Sequence, residues 1–235
     1  MKKFVPHILS IALLVSAVAF LPTSPVSGQT PGLVSSMLSR MEKNKRSLKS
    51  LRANIQMEKY NSQLRDKDTY SGVVLYIPGA GGNTSAFVRL EWQRPQHEIL
   101  VSANGNYTAY RPRLNQAYQG KTGRIKSQRD SDVLALINMS AAQLRTKFGE
   151  FQDVREEVLG GGVWTQHFKA IPSGAAGYKY IEVWVDKDGM PVQTKMVEKN
   201  DDSTTVRLTN VERNASIPMD QFKLNLGSGV KIIKG

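Results

Sequence analysis

Residues 85–120, SAFVRLEWQRPQHEILVSANGNYTAYRPRLNQAYQG, decide the fold class. Four short segments, at 85–93, 97–103, 106–111 and 116–120, carry the β-branched, aromatic and alternating residues of strands. Turn residues divide them. Arg94-Pro95 breaks the first, Asn104-Gly105 is a strong signal for a tight hairpin, and Pro112-Arg113-Leu114-Asn115 makes a further turn. Strands that follow one another through such short connections form an antiparallel meander rather than β-α-β units.

The pattern extends in both directions. Upstream, 70–77 predicts another strand, joined to the meander by the flexible stretch Gly79-Ala80-Gly81-Gly82-Asn83. Before it, Ala53, Ile55 and Met57 alternate with Arg52, Asn54, Gln56 and Glu58, a strand with one apolar face. Residues 31–50 read as an amphipathic helix: Pro31 suits a first turn, and Leu33, Val34, Met37, Leu38, Met41 and Leu48 recur at helical spacing opposite Arg40, Lys43, Lys45 and Arg46.

Downstream, the period becomes helical between Asp130 and Phe151. Asp130 or Ser131 caps a short helix bearing Val133, Leu134, Leu136 and Ile137, and Ser140 caps a second with Leu144 and Phe148. Gly160-Gly161-Gly162 closes this insertion. Strands resume at 163–170, 178–186, 190–199 and 203–212, with turns at Asp188-Gly189 and Asn200-Asp201-Asp202, and a last strand fits after Gly229. An antiparallel sheet of ten or eleven strands must curl strongly or close. Its concave apolar face then needs a cover, and the helices at 31–50 and 130–151 are the material for one.

The chain has 235 residues and no cysteine, which excludes disulfides, thiolate metal sites and a cysteine nucleophile. Residues 1–28 read as a secretory signal peptide: Lys2 and Lys3, an apolar run from Ile8 to Leu21, then Val26-Ser27-Gly28 before a mature start at Gln29, with Ala17-Val18-Ala19 as an earlier alternative. The run is shorter than the roughly 20 residues a bilayer span needs. A single exported domain over 29–235 is expected to follow. The net charge is +12, or +10 without the two leader lysines. Such an excess fits a solvated cationic surface or an anionic lipid or protein partner; no nucleic-acid-binding pattern accompanies it.

No catalytic set emerges, so an enzyme is not expected. His97 and His167 stand apart with no serine or carboxylate at a recognisable spacing. Asp186-Lys187-Asp188-Gly189 opens like a calcium loop but lacks the closing glutamate, so it reads as a turn. Gly79-Ala80-Gly81-Gly82 lacks the Gly-Lys-Ser/Thr ending of a phosphate loop. No cofactor or metal is expected. What remains is apolar: Met37, Leu38, Met41, Leu134, Leu136, Ile137 and Met139 on the two covers fit ordinary core or the lining of an acyl-chain pocket.

An ordered series of residues resembles the periplasmic lipoprotein carriers of the LolA type. It comprises Arg89-Leu90-Glu91-Trp92, Pro95, Glu98-Ile99-Leu100-Val101-Ser102, Asn104-Gly105, Tyr110-Arg111-Pro112 and Asn115-Gln116. A second stretch runs through Ile181-Glu182-Val183-Trp184-Val185-Asp186, Gly189, Pro191-Val192-Gln193 and Leu208-Thr209-Asn210-Val211 to Ile217, Phe222 and Gly229-Val230. The resemblance implies a mainly β (α+β) fold, a curled, incompletely closed antiparallel barrel under a lid of short helices. It implies a monomer that takes acylated lipoproteins or related lipids from an inner-membrane transporter and passes them to an outer-membrane acceptor. Leu90, Trp92, Ile99, Val101 and Val183 join the cover residues as candidates for the cavity. The family's lid-latching arginine has two local candidates, Arg89 and Arg94, although spacing from Pro95 places that position upstream near Thr84. A sensing or docking module of the same fold, using its cationic face, is the competing expectation.

Overall fold

The computed structural model describes residues 30–79 and 86–234. The leader over 1–28, most of the glycine-rich connection with Asn83, and Thr84 lie outside the described residues. Helix α1 (Thr30–Ser47) comes first, then β1 (Leu51–Asn61), β2 (Asp66–Ile77), β3 (Phe87–Arg94), β4 (Glu98–Ala103), β5 (Asn106–Arg111) and β6 (Gln116–Lys121). Helices α2 (Gln128–Asn138) and α3 (Ala141–Lys147) follow. Then come β7 (Phe148–Leu159), β8 (Val163–Pro172), β9 (Tyr178–Asp186), β10 (Pro191–Glu198), β11 (Ser203–Arg213) and β12 (Lys231–Lys234).

All twelve strands belong to one sheet, in the order β12-β6-β5-β4-β3-β2-β1-β11-β10-β9-β8-β7. Neighbours are antiparallel except β12, which lies parallel to β6. The sheet is curled but not closed, its edges being β12 and β7. β1 sits near the centre, and its predicted alternation is realised: Leu51, Ala53, Ile55 and Met57 are buried, while Arg52, Asn54 and Gln56 are exposed. Asn104 and Gly105 both take positive φ, 52° and 74°, as a tight hairpin between twisted strands requires.

The topology dictates the cover. β6 lies near one edge and β7 forms the other, so the chain between them must cross the concave face. α2 and α3 are that crossing. α1 packs beside α3, with Met37, Leu38 and Met41 buried against Ala141, Leu144, Phe148, Phe168 and Val183. α2 fills the centre, where Val133, Leu136 and Ile137 meet Leu51, Ile55, Leu90, Trp92 and Leu208. A third cluster forms on the outer face, where the C-terminal tail lays Ile217 and Phe222 over Leu75, Ile99 and Val101.

Three details differ from the sequence reading. The described residues hold twelve strands, because Phe148–Leu159 is a strand and not the end of the helical insertion. Two bulges, at Phe148/Glu150 and Gln152/Arg155, insert extra residues into β7 and space Phe148, Phe151 and Val154 three apart, which imitates a helix. Gly160-Gly161-Gly162 accordingly turns the β7–β8 hairpin. α2 starts earlier than predicted and is capped by Ser127, whose Oγ accepts from the Asp130 N–H at 3.3 Å. α1 ends at Ser47, three residues short of the expected boundary, and Ser50 is turned to bond the Ala215 carbonyl. No helix among the described residues is long and apolar enough to cross a membrane.

Candidate functional site

α2 is fixed to the sheet by polar contacts at both ends. At its start, Trp92 Nε1 donates to Asp130 Oδ1 across 2.7 Å, with both residues buried. Arg129 lies over the Trp92 ring at 4.6 Å and the Tyr70 ring at 5.5 Å, and pairs with Glu98 on β4. At the other end Tyr76 Oη donates to Asn138 Oδ1 at 2.9 Å, and Lys45 Nζ of α1 donates to the Asn138 carbonyl at 2.9 Å. α3 follows through a complete capping box, Ser140 Oγ accepting from Gln143 N and Gln143 Oε1 from Ser140 N, each at 3.1 Å.

This mounting leaves open space on both flanks of α2. The larger is a groove of about 360 Å³ between α2–α3 and the inner face of β9, β10 and β11. Leu136, Met139, Leu144, Phe148, Ile181, Met196 and Val206 supply its apolar walls; Asp132, Gln143, Lys147, Tyr178 and Thr194 supply polar groups. The volume falls at the lower end of the range of small-ligand sites, roughly 300–1,000 Å³. On the opposite flank a cavity of about 210 Å³ lies between α2 and β3–β6, bounded by Trp92, Leu100, Tyr107, Tyr118, Ile125 and Arg129. α2 thus separates two spaces inside the curled sheet.

Asp132 is the unusual polar group of the groove. Burial raises its carboxyl pKa, a shift only partly opposed by Gln128 Nε2, which donates to Oδ1 at 2.6 Å, and by the charge of Lys59. Glu198 and Asp130 push in the same direction as burial, and Oδ2 has no hydrogen-bond partner. Burial also raises the Tyr178 phenol.

The sequence-derived candidates are distributed over three places. Met37, Leu38, Met41 and Val183 form the core beneath α1. Leu90, Trp92, Leu136 and Ile137 form the central core with Leu134 packed against it, and of these Leu136 faces the groove and Trp92 the smaller cavity. Met139 is half-buried on the groove wall. Ile99 and Val101 pack on the outer face under Ile217 and Phe222, Ile99 also bordering the smaller cavity.

Neither candidate arginine reaches α2 or α3. Strand alternation turns Leu90 and Trp92 inward and therefore Arg89 outward, where it pairs with Glu91 at 2.7 Å and donates to the Gln221 carbonyl at 3.3 Å. Arg94 is exposed at the end of β3. The arginine that joins α2 to the sheet is Arg129, on the helix itself. Sequence reading also passed over Ile181, Met196 and Val206 as groove residues. Their signal was present in the alternation of β9, β10 and β11, which turns them to the inner face.

The histidines take no part in the groove. His97 contacts Glu91 at 3.1 Å on the outer face. His167 is fully buried beside Trp184, with Nε2 3.0 Å from Glu182 Oε2 and Nδ1 3.2 Å from the Asp153 carbonyl. The Asp186–Gly189 segment is a turn whose carboxylate is already engaged: Asp186 Oδ1 accepts from the N–H groups of Asp188 and Met190, and Oδ2 pairs with Arg213. Among the described residues no group of His, Asp and Glu is placed to hold a metal.

The chain thus combines a curled, open antiparallel sheet, helices laid across its concave side and an apolar groove beneath them. Residues 86–225 match the family described as outer membrane lipoprotein carrier protein LolA, and the chain belongs to that family. Its fold is shared with several solved structures. An uncharacterized conserved protein from Thermus thermophilus is 14% identical, with 86% of this chain and 98% of that one covered at a TM-score of 0.55. MucB, in its Pseudomonas aeruginosa complex with MucA, is 15% identical over 85% of this chain and 63% of that one, TM-score 0.54. The Mycobacterium tuberculosis lipoprotein LppX is 13% identical over 81% of this chain and 99% of that one, TM-score 0.50. This chain therefore spans less than two thirds of the MucB chain. No curated protein sequence matches.

Proposed function

We propose that the protein is a periplasmic lipid-binding carrier that shields the acyl chains of lipoproteins, or of related lipids, between the inner and outer membranes. The observation that carries this reading is the apolar groove between α2–α3 and β9–β11. Family membership and the leader-like residues 1–28 support it. An acyl chain gains roughly 0.8 kcal/mol for each CH₂ it buries. The groove offers such burial along Leu136, Met139, Phe148, Ile181, Met196 and Val206, while hydrogen bonds and one ion pair hold α2. For the guest to occupy both flanks, α2 moves aside as one unit, which breaks those contacts and uncovers Val133, Leu136 and Ile137, whose lost burial the acyl chain replaces.

In this reading the protein works as a monomer and binds no nucleic acid. It is a binding protein and not an enzyme, receiving cargo from an inner-membrane transporter and yielding it to an outer-membrane acceptor. A docking or sensing role is the second reading, supported by the likeness to MucB, whose structure was solved with MucA bound. Titration with a fluorescent fatty acyl probe separates the two. Saturable uptake that Ile181→Asp abolishes supports the carrier. A folded protein that takes up no probe supports the docking module.

A further inference from the structure

Positive charge is concentrated in two parts of the chain, residues 99–129 and the helices α1 and α3. α1 and α3 carry Arg40, Lys43, Lys45, Arg46, Arg145 and Lys147 against a single carboxylate, Glu42, which already faces Arg46 at 3.6 Å. All of these cations except Arg40 are exposed. On α1, Met37, Leu38 and Met41 are buried against α3 and the sheet. At about 3.6 residues per turn, Lys43 and Arg46 then stand on the opposite, solvent side.

Two further cations of these helices adjoin the groove. Lys147 and Met139 bound the groove at the α3 end, and Lys45 holds the carbonyl of Asn138, another groove residue. The far end has the opposite sign: the depression that continues the groove past Asp132 is bordered by Asp66, Asp68, Glu198 and Asp202 as well as Lys59 and Lys67. The groove therefore runs from a cationic end to an acidic one, and only the cationic end suits an anionic surface.

We propose that the α1–α3 face docks on an anionic phospholipid bilayer and presents the Lys147 end of the groove to the headgroups. Surface cations near an anionic leaflet are attracted within about one Debye length, roughly 8–10 Å, each strengthening adsorption about five-fold. A bilayer suits this face better than an acidic protein because the opening of an acyl-chain groove adjoins it. That last argument rests on the carrier reading, whereas the charge distribution does not.

The test is co-sedimentation of the purified protein, processed by its host during export, with two kinds of vesicle. One is phosphatidylcholine alone; the other contains one third phosphatidylglycerol. The expected result is binding to the mixed vesicles only, lost in high salt. The paired substitutions Lys43→Glu/Arg46→Glu and Arg145→Glu/Lys147→Glu each lower partition by at least about ten-fold. The pair Lys231→Glu/Lys234→Glu, equal in charge change but on β12 at the opposite edge of the sheet, lowers it by much less. Lys43 and Arg46 lie off the groove, so their variant keeps acyl-probe binding in vesicle-free solution. Mixed-vesicle binding that survives both helix pairs, or falls equally with the control pair, overturns the docking face whatever the probe does. No binding to either vesicle also overturns it and leaves the patch to an acidic protein. Loss of probe uptake with docking intact sinks the carrier reading alone and upholds the docking face.

Discussion

Trp92 and Asp130 meet across 2.7 Å in the interior, an indole N–H on β3 donating to a carboxylate in the first turn of α2. The pair fixes where the helix enters the concave side of the sheet. Arg129, stacked over the same indole, brings a cation to within 3.8 Å of the carboxylate and so lets the charge lie out of water.

Trp92→Phe keeps most of the ring but removes the donor, leaving the Asp130 oxygen buried without it. The expected loss of stability is about 1–3 kcal/mol, read by urea denaturation. Asp130→Asn retains an acceptor oxygen and is expected to lose less. Equal stabilities for wild type and Trp92→Phe would show that the bond does not hold α2.

Arg129→Gln removes the stacking over Trp92 and the ion pair to Glu98. If α2 is the movable partition, stopped-flow mixing with an acyl probe gives a faster association for this variant, together with a stability lower by about 1–2 kcal/mol. Reduced stability with an unchanged association rate would make Arg129 a purely structural residue.

The groove and the core beneath α1 respond differently to a new charge. Ile181→Asp places a carboxylate on the groove wall at a half-buried site, and probe affinity falls while the thermal midpoint changes modestly. Met41→Asp buries a charge at a site 1% exposed, at a cost of several kcal/mol, and the chain loses cooperative folding. Circular dichroism and probe titration of the two variants check the division.

Asp132 gives the protein a pH dependence of definite sign. Its folded-state pKa is raised by burial, so the folded chain keeps a proton that the unfolded chain releases. Its contribution is therefore fully favourable below the ordinary aspartate value and is lost as pH rises through the raised one. Asp132→Asn is expected to raise the melting temperature at pH 7 and to leave it unchanged under acid conditions in which both states are protonated. A gain of equal size at both pH values would contradict the assignment.

Gly189 closes the β9–β10 turn at a φ of +88°, and a Cβ there would lie 2.3 Å from the backbone of Arg40 on α1. Gly189→Ala is thus strained twice, by conformation and by contact, and is expected to loosen α1 from the sheet. Hydrogen exchange at the amides of α1 would rise in this variant relative to those of β1.

Much of the architecture was legible in local signals. The alternation of Leu51, Ala53, Ile55 and Met57, the Asn104-Gly105 hairpin and the Ser140–Gln143 cap all act over a few residues and leave a clear pattern. β7 was hidden because its bulges replace a period of two with a spacing of three. Ile99-Leu100-Val101 could not be divided between faces, since the C-terminal tail buries the outer face of β4 and makes the whole run apolar. The Arg129–Glu98 pair joins residues on separate elements and has no local signature. The outward direction of Arg89, by contrast, follows from the inward Leu90 and Trp92.

The most direct measurement is native mass spectrometry of the protein purified from the periplasm, followed by extraction and analysis of bound lipid. The account expects a fraction carrying one acylated lipid or lipoprotein, released when Ile181→Asp disrupts the groove. A protein that is uniformly empty, and that remains so after incubation with acyl lipid, would contradict it.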